Sequence, residues 1–214
     1  MVVVKKLTTS DLQSLDVTDG FTWCIKSLGK EGKVKFKEFL KQKLSEGGEI
    51  FLAIKENKIV GFAAIIDWQT LPNTKFLDVM EVAKPYRSQG IGTMIMQKMF
   101  VEWDTLIALT PLSEPGCEEK LRNFYQRFGF TTITDIVKPV IMIRIPNDTD
   151  KLKEWIEYIE KALDEYSYQT YQIQPTLHIW GRRYAPWLKY TYDVYRPLLK
   201  EMKKRIKKKK RLNK

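Results

Sequence analysis

Hydrophobic and polar positions recur at two different periods along the chain, and the switches between those periods predict its elements. Val2–Val4 is a short β-rich run, and Thr8, Thr9, Ser10 and Asp11 behind it offer N-caps for a helix. Over Val34–Leu44, the apolar residues Val34, Phe36, Phe39, Leu40 and Leu44 are separated by lysines in the pattern of a helix with one buried face, which Gly47 and Gly48 stop. Glu49–Lys55 and Lys58–Trp68 are apolar runs joined by Glu56-Asn57, a hairpin signal. Lys75–Val82 reads as a strand. Gly90–Phe100 reads as a helix carrying Ile91, Met94, Ile95 and Met99, and Thr105–Leu109 as a short buried strand ended by Pro111. Over Cys117–Phe128, Leu121, Phe124, Tyr125 and Phe128 return at helical spacing, with Gly129 as the stop signal. Phe130–Ile133 and Val137–Ile145 complete the series as strands. Together these predict an α/β (α+β layered) domain over residues 1–146, a mostly antiparallel sheet flanked by helices.

The polar segment from Pro146 to Asp150 marks a boundary. Beyond it, Leu152, Trp155, Ile156, Ile159 and Leu163 predict an amphipathic helix, and residues 166–195 are dense in Tyr and Trp. Two short helices are expected after Pro186, the second starting at Pro197. Residues 147–202 thus form an aromatic-rich helical appendage, and 203–214, with few apolar residues, a disordered tail.

Charge changes this picture in one place. The net charge is +11, but residues 199–214 alone hold ten Lys/Arg against one Glu, so the basic character belongs to the tail. Two separated cysteines, Cys24 and Cys117, and a single histidine, His178, offer no metal site and no CxxC pair. No Gly-x-Ser-x-Gly elbow accompanies the histidine, which speaks against a Ser-His-Asp hydrolase. The chain has neither a signal peptide pattern nor a run of about 18 apolar residues, so no membrane partner is expected and the cytoplasm is the expected location.

The chemistry concentrates at Val82-Ala-Lys-Pro-Tyr-Arg87-Ser88-Gln89-Gly90-Ile91-Gly92-Thr93, between an apolar strand and an amphipathic helix. Glycines let the chain turn tightly there, and the free N–H groups and dipole of the following helix favour a phosphate. Arg87 adds a charged donor. A dinucleotide fingerprint would need a further Gly where Ile95 stands, and a P-loop would need Gly-Lys-Ser/Thr where Gly92-Thr93-Met94 stands. The pattern Arg-x-x-Gly-x-Gly instead resembles the pyrophosphate-binding motif of the GNAT superfamily of N-acetyltransferases. Phe124-Tyr125-Gln-Arg-Phe128-Gly129-Phe130 is similar to that family's Phe-Tyr-x-x-x-Gly-Phe segment, and the order of elements agrees up to about Ile145.

The resemblance implies a GNAT-like mixed, mostly antiparallel sheet, acetyl-CoA (coenzyme A) as the cofactor, and a primary amine, on a small molecule or a protein, as the acceptor. It implies cofactor contacts from Met80 and Val82 through backbone N–H groups, and from Arg87, Ser88, Gln89, Gly90, Ile91, Gly92 and Thr93 at the pyrophosphate. Tyr125 would be the general acid for the departing thiolate, or would only hold its sulfur. For the general base, Asp78 and Glu81 are the nearest carboxylates; an unbulged strand puts them on opposite faces, and Glu81 is favoured, with a water relay as the alternative. The family's Asn near the start of the Tyr-bearing helix has no counterpart at Cys117-Glu118, and Cys117 reads as an inert thiol, with no histidine nearby to activate it. Phe124, Phe128, Met94, Met96 and Met99 read as core filling.

The appendage leaves two readings open. In one it is a helical cap, whose aromatics pack on the catalytic domain or on a second copy, as a homodimer. In the other, the chain is an RNA- or ribosome-associated protein that contacts nucleic acid through its basic aromatic C-terminal region.

Overall fold

The structure, a computed structural model, describes residues 1–22, 32–134, 140–173 and 177–212. It divides into two compact units, one of residues 1–68 and 74–105, the other of 69–73 and 106–214.

In the first unit, β1 (Val3–Lys6), β3 (Glu49–Lys55), β4 (Lys58–Asp67) and β5 (Lys75–Val82) pair antiparallel in that order, and the short β2 (Asp16–Val17) runs parallel to β4. The hairpin between β3 and β4 forms where expected: Glu56 and Asn57 have φ of 51° and 61°, the left-handed pair of a type I′ turn, whose twist matches that of the strands. Asn57 is further tied in, because its carbonyl accepts the N–H of Asp16 and its side chain donates to the Ser14 carbonyl. Helix α1 (Asp11–Ser14) is not capped by the side chain of Ser10; instead Asp11 reaches back and accepts from the N–H and hydroxyl of Thr8.

Helix α2 (Gly32–Ser45) covers one face of this sheet. Phe36 and Leu40 are fully buried and Phe39 and Leu44 partly so, while Val34, expected on the same face, is 61% exposed. Gly47, with φ 81°, ends the helix, and the N–H of Gly48 returns to the Lys43 carbonyl. Under α2, the Phe62 ring meets Phe36, Phe21 and Phe39 edge-on, at 5.0, 5.8 and 6.3 Å between centroids. Such edge-to-face contacts add to the burial of the rings themselves.

The other face of the sheet receives α3 (Ile91–Glu102), through Ile91, Ile95, Met96 and Met99. Gly61 on β4 permits this approach, since a Cβ there would stand 3.3 Å from both Ile91 and Ile95. Met94, expected in this core, is exposed at the helix start.

β5 is not a regular strand. Val79 pairs with Ala64 and Leu77 with Ile65, which leaves Asp78 as the extra residue of a β-bulge. The bulge overturns the alternation expected for Asp78 and Glu81. Both now face the α2 side: Asp78 pairs with Lys43 of α2 at 2.8 Å, and Glu81 stands opposite Phe62.

In the second unit, β8 (Ile141–Arg144) lies between β6 (Ile107–Leu109) and β7 (Thr131–Thr134), antiparallel to both. Helix α4 (Glu118–Gln126) precedes β7. The strand expected over 137–145 is seen from Ile141; residues 137–139 lie outside the described residues. Helices α5 (Thr149–Ile173) and α6 (Leu177–Leu212) follow and pack on each other. Asp148 caps α5 by accepting from the N–H groups of Asp150 and Lys151, which holds its carboxyl below the usual range.

Two expectations fail in α6. It runs through Pro186 and Pro197 as one helix, and it continues over 203–212, where a disordered tail was expected. The physical reason is a buried stripe of Val194, Leu198 and Met202, together with side chains that tie the last turns down. Arg205 donates to the Ile145 carbonyl, Lys209 to the Asn147 carbonyl, and Lys203 pairs with Glu160 of α5. Loop 69–73 is gripped by the same helices, through a hydrogen bond from Trp155 Nε1 to the Pro72 carbonyl (3.1 Å) and another from the Tyr195 hydroxyl to the Thr70 carbonyl. Cys24, and the side chains of 166–173 and 177–192 with His178 among them, lie outside the described residues.

The aromatic cluster under α2 makes the first unit sensitive at its centre. Phe62→Ala is expected to lower the stability to urea by about 3–5 kcal/mol, read as a fall in the denaturation midpoint at unchanged m-value.

Candidate active site

At the end of β5 the chain turns through a single 3-10 turn at Lys84–Tyr86, in which Pro85 removes one N–H that the turn does not need. Ser88 (φ 62°) and Gly90 (φ 80°) then adopt the left-handed conformation, and α3 begins at Ile91. Left-handed backbone costs an ordinary residue about 1–2 kcal/mol, so Ser88 holds strain that Gly90 avoids. A Cβ on Gly90 would meet nothing within 4 Å, so the glycine answers to its φ angle and not to crowding.

The first intrahelical bond of α3 runs from the Met94 N–H to the Gly90 carbonyl, and no side chain caps the helix. The N–H groups ahead of Met94 are therefore open to a ligand. Ser88, Gln89 and Gly90 are exposed, Gly92 and Thr93 half-buried and Ile91 buried, so the turn is reachable while its anchor is fixed in the core. Chemically this is an anion site: uncapped N–H groups at the positive end of a helix dipole.

Arg87 supports the turn from within. Its Nε donates to the Val82 carbonyl at 2.9 Å and its Nη2 to the Thr22 hydroxyl at 3.0 Å, and Nη2 stands 3.7 Å from Glu81. Glu81, only 7% exposed, accepts from the Thr22 N–H at 2.5 Å and from its hydroxyl at 3.1 Å. The structure thus brings Glu81, Arg87 and Thr22 into one network beside the turn. Thr22 escapes sequence reasoning because it lies 59 residues from Glu81 with no local pattern around it. Asp78 is held apart by its ion pair with Lys43, whose ammonium is pushed above its usual range, chiefly by the hydrogen bond to Asp78. Met80 and Val82 sit opposite Ala63 and Gly61 on β4.

Tyr125 lies in the second unit, near the end of α4, and is the one buried side chain of that helix. Gly129, at φ 82°, closes the helix: its N–H bonds to the Gln126 carbonyl, and the Phe130 N–H reaches back to the Tyr125 carbonyl. This Schellman arrangement fixes the Tyr125 backbone. Phe124 and Phe130 meet the tyrosine ring at 5.3 and 5.7 Å; Phe124 and Phe128 are only half-buried, so the core aromatics of the segment are Tyr125 and Phe130. Burial pushes the phenol well above its usual value near 10. Cys117 is a free, half-buried thiol at the start of α4. Among the described residues no His/Cys/Asp/Glu group could hold a metal, and no helix is long and apolar enough to cross a membrane.

Comparison with known proteins agrees with this geometry. Residues 46–132 match the family model of the acetyltransferase (GNAT) domain. An acetoin utilization protein of Exiguobacterium sibiricum is similar at 18% identity and a TM-score of 0.52, with 67% of this chain and 81% of that chain covered. A histone acetyltransferase HPA2 and related acetyltransferase of Corynebacterium glutamicum is similar at 18% identity and a TM-score of 0.50, covering 68% and 96%. The PaiA N-acetyltransferase of Thermoplasma acidophilum, solved in complex with coenzyme A, is similar at 16% identity and a TM-score of 0.48, covering 68% and 99%. At these identities the two likenesses with TM-scores of 0.52 and 0.50 establish the fold alone. No curated protein sequence matches the chain.

The network beside the turn has a measurable stability. Glu81→Ala leaves the Thr22 N–H and the Arg87 guanidinium without this acceptor, and a loss of about 2–4 kcal/mol is expected in urea denaturation. Thr22→Val keeps the backbone bond and is expected to lose only about 1 kcal/mol.

Proposed function

We propose that the chain transfers an acetyl group from acetyl-CoA to a primary amine, on a small molecule or a protein, by direct attack of the amine. The observation that carries this reading is the exposed, uncapped turn Ser88–Thr93 in front of α3, within a GNAT acetyltransferase domain. When bound, acetyl-CoA supplies the activated acetyl group and a pyrophosphate that suits such a turn. In this reading the backbone N–H groups of Gly90, Ile91, Gly92 and Thr93, with the side chains of Ser88 and Gln89, receive the pyrophosphate. Arg87 acts on it from behind, by holding the turn to Val82 and Thr22. Backbone N–H groups of Met80 and Val82 hold the thioester carbonyl and the pantetheine arm, and draw charge onto the carbonyl oxygen.

The bond formed is amine nitrogen to acetyl carbon, and the bond broken is acetyl carbon to sulfur. The amine gives up a proton and the thiolate takes one. Tyr125 serves the thiolate. Because burial raises its pKa, the phenol stays protonated throughout the working pH range and first acts as a hydrogen-bond donor to the sulfur, then shares its proton as charge develops there. Glu81 is a positioning residue in this reading: Thr22 and Arg87 already engage its carboxylate, so the amine's proton leaves through water. The free thiol of Cys117 fits a reducing, cytoplasmic setting.

Calorimetric titration of the full chain with acetyl-CoA tests the turn. Micromolar binding is expected, lost by at least about 100-fold in Gly90→Glu, where a side chain is strained at φ 80° and carries like charge towards a phosphate. A folded wild type that does not bind acetyl-CoA would overturn the reading. For the tyrosine, Tyr125→Phe is expected to lower kcat by about 10²–10⁴-fold with little change in acetyl-CoA affinity. An unchanged kcat from pH 6 to 9 would remove Tyr125 from the proton path.

A further inference from the structure

Helix α6 presents two unlike faces. Val194, Leu198 and Met202 are buried, whereas Lys200, Lys203, Lys204, Lys207, Lys208, Lys210 and Arg211 are exposed. Lys203 is paired with Glu160 of α5, and Arg205 and Lys209 are turned onto the carbonyls of Ile145 and Asn147. The remaining six, Lys200, Lys204, Lys207, Lys208, Lys210 and Arg211, form no ion pair with a described residue.

Lys200, Lys204, Lys207, Lys208 and Arg211, each three or four residues from another, lie along one side of the helix, about 16 Å from first to last at 1.5 Å per residue, and Lys210 stands at its edge beside α5. Helix stability does not account for the stripe. The dipole favours cations only in the last turn, and like charges at i, i+4, as in Lys200–Lys204, Lys204–Lys208 and Lys207–Arg211, are unfavourable. A row of this kind is relieved by a linear polyanion.

The geometry points to α6 as a docking surface for the sugar–phosphate backbone of nucleic acid. A membrane surface fits less well, because over the described side chains 193–211 the apolar residues Val194, Leu198 and Met202 are buried and are not offered for insertion. An acidic protein fits less well too, because the stripe itself carries no aromatic or aliphatic side chain, and Ile206 beside it is only half-exposed, in a groove with Ile156 of α5. Contacts of this sort carry no base readout, so both RNA and DNA are accepted without sequence preference. The proposal does not depend on acetyl transfer.

The test is fluorescence anisotropy of the full chain with a labelled 20-nucleotide mixed-sequence RNA and with a duplex DNA of the same length, between 50 and 200 mM KCl. Six phosphate contacts give a log–log salt slope of about −4 on the single strand and about −5 on the duplex, a loss of roughly 300- to 2,000-fold across that range. The variant Lys204→Glu, Lys207→Glu, Arg211→Glu is expected to bind at least about 100-fold more weakly and to flatten the slope by about 2–3, with unchanged circular dichroism. The corresponding Gln variant gives a smaller loss in the same direction. Lys37→Glu, Lys41→Glu, Lys58→Glu makes the same change in net charge elsewhere and is expected to stay within about twofold of wild type. Absence of binding at 50 mM KCl, a slope near zero, or equal losses in the two Glu variants would each overturn the proposal. So would co-sedimentation with phosphatidylserine vesicles by a chain that leaves the RNA and DNA unbound.

Discussion

The N–H groups in the first turn of α3 point along the helix axis with no side chain to receive them, and the residues around them are arranged to keep that end open. Ile91, Ile95, Met96 and Met99 seat the helix on the sheet, and Gly61 gives up a side chain so that it can come close. Ser88 and Gly90 take left-handed conformations so that the strand can feed the helix without covering its end. Arg87, Thr22 and Glu81 then pin the approach to the turn from the opposite face. Burial of the α3 side chains stabilises and the left-handed backbone at Ser88 costs, and together these features hold one anion-binding turn in a fixed shape before any ligand arrives.

The bulge at Asp78 serves the same end. One extra residue in β5 shifts the alternation, so that Asp78 and Glu81 share a face, the first bound to α2 and the second to the segment around Thr22. A strand without it would direct one of these carboxylates towards the α3 side, where neither partner lies.

Much of this was legible in the sequence, for identifiable reasons. The strands β3, β4 and β5 follow from their apolar runs and from the Glu56-Asn57 turn, and α3 and α4 from their spacing. Gly90 and Gly129 were readable because both occupy positive φ. Bulges leave no mark in composition, so the common face of Asp78 and Glu81 was not readable. Neither was Thr22, whose role depends on a contact 59 residues away. In α6, local rules placed a break at each proline and disorder in the basic tail. A buried stripe and bonds to carbonyls at 145 and 147 outweighed them, as tertiary contacts commonly outweigh local preference. Tyr125 was identified through its segment, but its burial belongs to the structure alone.

Loop 69–73 belongs by its contacts to the second unit, although β4 and β5 on either side of it belong to the first. The chain therefore passes between the units at 68/69, at 73/74 and again at 105/106. No single cut separates them as modules. A fragment beginning at residue 106 would leave Trp155 and Tyr195 with donors whose acceptors, the carbonyls of Pro72 and Thr70, had stayed with the other piece. Dissecting this protein into freely exchangeable parts would require rejoining the ends of that loop.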